Sequence, residues 1–223
     1  MNFLTHPLFS NLGIEHGFGT KLTVPPSNIF LPRQVHSSFV ASWGREDSPP
    51  KDGTVADGVT TTDPKRAIGI VSADCVPILL ASEDGSAVGV IHAGWRGFSS
   101  GIVDETLKSM RLIASNKAVY SLIGPHVGPC CYEIDQPVID ALLPRFGNGL
   151  NEALEPSRKG HFHLDLGSLA TLSLARGLIS PARQSRLRDS CTKCQEDRFH
   201  SFRRDGEKAG RMTHWVKAKC VAA

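Results

Sequence analysis

Cys75 and His92 are the residues whose chemistry has to be explained first. Cys75 stands where the apolar run at 67–71 (AIGIV) breaks at Ser-Ala-Asp, and His92 closes a second run at 87–91 (AVGVI), just ahead of Gly94 and Gly97. Apolar runs of this length bounded by turn residues read as buried strands. Two such strands side by side would bring a thiol and an imidazole to one sheet rim. A third residue of the same kind, His36, closes the stretch Arg33-Gln34-Val35-His36. Two imidazoles and a thiolate are a natural zinc set, and three protein ligands leave a fourth position open, as in catalytic rather than structural sites. The same Cys75 and His92 could instead act as thiolate nucleophile and base. Spacing alone does not bring His36 to the other two, and a histidine at a strand end is more often a surface or hydrogen-bonded residue.

The elements that must position these residues are mixed in type. Strands are expected at 29–36, 38–43, 67–71, 76–81, 87–92, 119–123 and 211–217, each rich in Val, Ile or Phe. Helical spacing is clearest for Ile102, Thr106, Leu107 and Met110 after Gly101, and for Val138, Ile139, Leu142 and Leu143, with Pro137 suited to a first turn. Leu166, Leu169, Ala170 and Leu174 form a third helical face that Gly177 can end. Strands outnumber helices and do not alternate with them, which predicts an α+β domain with mixed β-sheets and flanking helices.

The 223 residues carry no linker-like tract or repeat, so residues 1–223 read as one compact domain. A net charge of +3 with scattered basic residues is too weak for a nucleic-acid footprint. No apolar run reaches the ~18 residues of a membrane span, and the opening MNFLTHPLFSNLG lacks a signal-peptide pattern, which gives a cytoplasmic expectation with no membrane partner. Six cysteines in a reducing compartment are expected to be thiols. Cys191 and Cys194 form a lone CxxC with no second pair at zinc-ribbon spacing, so the expectation is a turn containing two buried thiols; Cys130 and Cys131 are adjacent. His161 and His163 alternate as an exposed strand edge and are assigned no metal, while His126 sits in a Gly-Pro-His turn that could border a pocket. GFGTKL lacks the dinucleotide-binding glycine spacing and no GxxxxGK[ST] loop occurs, so neither NAD nor ATP is implicated.

Taken in order, SADCVP, HAGWRG, IGPHVGPCCYEI and the C-terminal CT, FHSFRRDG and GR segments resemble the YfiH-type family, the laccase-domain or multicopper polyphenol oxidase-labelled proteins to which purine nucleoside phosphorylase activity is assigned. The match covers most of the chain. The resemblance implies a YfiH-type fold, similar to that of cysteine hydrolases and bacterial toxin deamidases. It also implies zinc on His36, Cys75 and His92, and phosphorolysis of adenosine, inosine, guanosine and methylthioadenosine with adenosine deamination as a second activity. Purine nucleosides and phosphate are then the expected partners. Within that reading Arg96, Arg203 and Arg204 are candidates for binding phosphate or substrate, Asp74 and Glu133 for handling or orienting protons, and Trp95 for stacking on the purine. Each has a bland counterpart: Arg96 as a brace of its turn, the Arg203-Arg204 pair as a solvated edge, Asp74 as a cap, Trp95 as core.

Two positions depart from the family pattern. Ser37 follows QVH where glycine is usual, and the stretch 19–27 lacks the usual arginine, leaving Lys21 as a cation without a bidentate fork. Three other functions stay in view: a non-enzymatic role, a cysteine hydrolase or deamidase using Cys75 and His92, including peptidoglycan-precursor editing, and a copper polyphenol oxidase. The last ranks lower, because its centres need many imidazoles and the nine histidines here are dispersed.

Overall fold

The runs at 67–71 and 87–91 do not lie side by side as expected, because they fall in different sheets; the run at 87–91 pairs instead with the strand that follows Cys75, as an antiparallel hairpin whose covered faces leave neither strand alternating apolar with polar residues. In the computed structural model, which describes residues 3–115 and 117–220, the chain begins with α1 (Pro7–Ser10), β1 (His16–Phe18), β2 (Ile29–Phe30), β3 (Val40–Trp43), β4 (Gly58–Thr61), β5 (Ala67–Ser72), β6 (Val76–Ser82) and β7 (Val88–Ala93). It continues through α2 (Trp95–Ser100), α3 (Ile102–Ile113), β8 (Val119–Ile123), β9 (Glu133–Asp135), α4 (Gln136–Phe146), β10 (Leu154–Pro156) and β11 (His161–Leu164). The last elements are α5 (Leu166–Arg176), β12 (Gln184–Arg186), α6 (Phe202–Asp205) and β13 (Met212–Val216).

A six-stranded sheet in the order β12-β8-β6-β7-β4-β3 forms the middle layer. The β12/β8 and β3/β4 pairs are parallel and the pairs between them antiparallel, so the sheet is mixed, as the element order predicts. Val76, Ile78, Leu80, Ile91 and Ala93 point to one face, where they pack with residues of α3, α4 and α5. Leu79, Ala81, Val88 and Val90 point to the other, where the sheet β1-β13-β5-β2 covers them through Phe18, Ile68, Ile70 and Val216. Leu79 and Ile91 are fully buried, and cutting either to alanine is expected to cost about 2–5 kcal/mol.

The three expected helices are present over α3, α4 and α5. Ile102, Val103, Thr106, Leu107 and Met110 form the buried face of α3, Pro137 lies in the first turn of α4, and Gly177 caps α5. Gly101 separates α2 from α3 at φ 87°, a left-handed conformation that also leaves room for the Arg145 guanidinium.

Several sequence expectations are corrected. The run at 29–36 is a strand only over Ile29–Phe30: beyond it Arg33 makes an isolated backbone bridge to the 54–56 segment, and the Asp57 side chain takes the Val35 and His36 amides. β1, β4, β9, β10 and β12 were not expected: each is three or four residues long, too short to show a period. The HFH segment is the middle strand of the sheet β10-β11-β9 and not an edge. Among the described residues no helix is long and apolar enough to cross a membrane.

Candidate metal centre

Cys75 immediately precedes β6, and His92 stands near the end of β7, opposite Pro77 in the register, so the hairpin delivers both to one end. His36 arrives from a loop with no strand of its own, and two side chains fix that loop. The Gln34 amide donates to the Val71 carbonyl at 2.8 Å and accepts from the Val71 amide at 2.7 Å, copying a strand partner alongside β5. Asp57, fully buried, accepts the backbone amides of Val35, His36 and Ser37 at 3.2, 3.0 and 2.7 Å and the Ser37 hydroxyl at 2.8 Å. His36 itself has φ 60°, a left-handed value uncommon outside glycine, and this converging set of hydrogen bonds over-determines it.

The outcome is a cluster in which His36, Cys75 and His92 each offer one ligand atom, all within 4.8 Å of one another. Cys75 Sγ lies 3.8 Å from His36 Nε2, and the two imidazoles meet edge to face with centroids 4.8 Å apart. Asp57 Oδ1 accepts from His92 Nδ1 at 2.9 Å, which aims the other ring nitrogen at the cluster. A carboxylate behind a ligating imidazole is the usual outer-shell partner of a metal-bound histidine. Gly94 keeps the space open: a Cβ there would stand 2.8 Å from Cys75 Sγ and 3.4 Å from His36 Cδ2. Donor types, mutual reach and the outer carboxylate all fit a metal with three protein ligands.

The electrostatics agree. Burial alone would raise the Cys75 thiol, but the charge on His92 and hydrogen bonds from His36 and His92 outweigh it and hold the thiol at about 6. Burial would likewise lower His92, yet the Cys75 charge and the Asp57 hydrogen bond lift it to about 9. Against the desolvation of its own carboxylate, Asp57 is held at about 2 by His92 and Ser37. The trio therefore favours thiolate, imidazolium and carboxylate when no metal is bound.

The remaining sequence candidates separate. Asp74, at φ 93°, accepts the Thr192 hydroxyl and the Arg203 amide, each at 2.5 Å, so it ties the Cys75 loop to the C-terminal segment. Arg203 is exposed and lays its guanidinium over the Tyr132 ring at 4.8 Å from the centroid. Tyr132, which the sequence did not single out, is pushed up to about 12 by burial first and then by the Cys75 charge. Arg204 donates instead to the Thr192, Lys193 and Phe199 carbonyls and pairs with Asp205, bracing the segment. Arg96 is exposed and covers one face of Trp95 at 4.3 Å. Glu133 faces Arg158 and Ser157 on the β9–β11 sheet. His126 is buried and neutral-leaning because of that burial, with Nδ1 2.7 Å from the Gly124 carbonyl. Asp57 was not singled out by the sequence, since it belongs to no motif or period.

The lone-CxxC reading is also corrected. Cys130 and Cys131 come to Cys191 and Cys194, and the four sulfurs lie within 4.8 Å of one another. The fifty-nine residues between Cys131 and Cys191 hid that pairing from any spacing argument.

A mixed sheet bearing a thiolate and two imidazoles at its rim defines a candidate metalloprotein centre. The family model described as multi-copper polyphenol oxidoreductase laccase matches residues 16–219, and the chain belongs to that family, in keeping with the YfiH-type resemblance. The chain is 33% identical over 162 residues to the purine nucleoside phosphorylase YlmD of Geobacillus stearothermophilus, an alignment covering 72% of this chain but 59% of that protein. The chain thus spans less than two thirds of that relative's length. It is 31% identical to a purine nucleoside phosphorylase of Aquifex aeolicus over 92% of this chain and 93% of that one. Among solved structures, the crystal structure of the Bacillus licheniformis hypothetical protein YfiH shares the fold, with a TM-score of 0.82, 24% identity and 93% of each chain covered.

Proposed function

We propose that this chain is a zinc-dependent purine nucleoside phosphorylase acting on adenosine, inosine, guanosine and methylthioadenosine, with adenosine deamination as a second activity. The observation that carries this reading is the His36, Cys75 and His92 cluster with Asp57 behind His92, in a chain 31% identical to a purine nucleoside phosphorylase over nearly its whole length. Bound to that cluster, zinc would supply Lewis-acid activation. In phosphorolysis the bond from the ribose anomeric carbon to the base breaks, one to a phosphate oxygen forms, and the base leaves with a proton. The exposed Arg203 and Arg96 guanidiniums are the cations assigned here to the phosphate. Asp74 orients Arg203 through its amide, and the Tyr132 and Trp95 rings supply flat faces for the base. Arg204 and Glu133, substrate-binding candidates in the same reading, are engaged with neighbouring segments, Arg204 with the Thr192, Lys193 and Phe199 carbonyls and Glu133 with Ser157 and Arg158.

Two products test the reading. With adenosine, the purified zinc-loaded protein is expected to give adenine and ribose 1-phosphate when phosphate is present and inosine when it is absent. Neither product from fully zinc-loaded protein would overturn it.

One observation favours a second reading. Cys75, His92 and Asp57 also line up as nucleophile, base and orienting carboxylate, with the thiol at about 6, which suits a cysteine hydrolase or deamidase. Amide cleavage abolished by thiol alkylation and indifferent to chelators would select it. The copper oxidase reading ranks lowest: the two candidate clusters among the described residues hold two imidazoles and five thiols, a poor match to multicopper centres.

A further inference from the structure

We propose that Cys130, Cys131, Cys191 and Cys194 form a second metal site, a structural zinc held by four thiolates, independent of the His36, Cys75 and His92 cluster.

The sulfurs have the separations such a site needs. A tetrahedral zinc with bonds of about 2.3 Å places its sulfurs about 3.8 Å apart, whereas a disulfide holds them at about 2 Å. Here Cys130 lies 3.7 Å from Cys191 and 3.6 Å from Cys194, and Cys131 lies 3.3 Å from Cys194. All six distances stay within 4.8 Å, and all four cysteines are free thiols. Four thiols brought this close, two of them exposed and two half-buried, gain little from packing against one another. Zinc binding displaces their protons and leaves a doubly negative complex. Groups that favour such charge are already in place: the Gly128 amide donates to Cys191 Sγ at 3.2 Å, and Arg186 and Arg188 line the same groove as Cys130 and Cys191.

The location gives the site a purpose. Between the end of β12 and the start of α6 the chain has no helix or strand, yet Thr192 from this region and Arg203 in the first turn of α6 hold the Asp74 carboxylate. The opposing loop, 124–132, holds the same residue from the other side, with the Val127 amide donating to the Asp74 carbonyl. A metal shared by Cys130–Cys131 and Cys191–Cys194 would clamp these two loops together around Asp74, the residue before Cys75.

The test is metal content and ligand type in full-length protein purified under reducing conditions. Cys75→Ala, which disables the other cluster, is expected to retain about one zinc per chain with an all-sulfur shell by X-ray absorption. Cys191→Ser is expected to lose about one zinc relative to the unsubstituted protein. Because a serine variant can fail by unfolding, cadmium-113 resonance of the unsubstituted protein provides the second measurement: a signal at all-thiolate shifts is expected. Zinc-free Cys75→Ala protein, a nitrogen or oxygen shell at its metal, or protein whose mass shows two disulfides and no zinc under reducing purification would each overturn the proposal.

Discussion

Asp57 and His92 are joined twice: the carboxylate accepts from the ring Nδ1 at 2.9 Å, and the Asp57 carbonyl accepts the His92 amide at 2.8 Å. One buried residue therefore sets both the orientation of the imidazole and the position of its backbone. The same carboxylate gathers the amides of the loop bearing His36, so two of the three cluster members depend on it.

Replacing Asp57 is accordingly expected to act on metal binding. Asp57→Asn keeps the volume but loses the charge that holds His92 and the 35–37 amides, and metal affinity should fall about 10–100-fold. Competition against a chromophoric chelator measures this. Unchanged affinity would mean that Asp57 only supports the loop.

Gly94→Ala tests the geometry of the cluster itself. The added Cβ would press on Cys75 Sγ at 2.8 Å, so metal affinity and activity should both drop at least about tenfold while the circular dichroism spectrum stays that of the unsubstituted protein. Full zinc occupancy at equal affinity would refute the packing argument.

The two neighbouring arginines should separate into different phenotypes. Arg204→Ala removes charged hydrogen bonds to three carbonyls and is expected to cost about 2 kcal/mol, lowering Tm by roughly 4–8 °C. Arg203→Ala, whose guanidinium is exposed on Tyr132, should leave Tm nearly unchanged and raise the KM for phosphate. The same loss of stability in both variants would count against a substrate role for Arg203.

Arg96→Ala should reduce phosphorolysis of adenosine more than its deamination, because only the first reaction requires an anion to be held. Product analysis with and without phosphate reads the ratio. Equal losses would assign Arg96 to bracing Trp95.

Acid stability should report His214. It is fully buried, takes the Gly19 amide on Nδ1 and meets Ser72 Oγ through Nε2 at 3.0 Å, an arrangement that requires the neutral ring. Burial, with a smaller contribution from the His92 charge, lowers it to about 3. The unfolded chain takes up this proton near pH 6.5 and the folded chain only near 3, so stability is intact above 6.5 and declines on acidification at about 1.4 kcal/mol per pH unit. Denaturant titrations between pH 7 and 5 should show a shallower decline in His214→Gln. An unaltered slope would place the acid sensitivity elsewhere.

The sequence by itself determined the pieces whose signal is local. The runs at 76–81 and 87–92 are uninterrupted because both faces of the hairpin are buried, and that continuity is legible in the sequence. The faces of α3, α4 and α5 repeat every three to four residues because each helix covers one side of a sheet. Cys75 stood out because it follows the break of the run at 67–71, and His92 because it closes the run at 87–91. Tertiary structure alone decided what depends on contact between distant segments. His36 reaches the cluster through Gln34 on Val71 and through Asp57, side-chain contacts that leave no period in the chain. Asp57, which the sequence reading did not single out, gains its role only from those contacts. Cys130 and Cys131 join Cys191 and Cys194 because the loops 124–132 and 190–195 run side by side at the His126–Cys191 bridge, a pairing across about sixty residues that spacing rules cannot express.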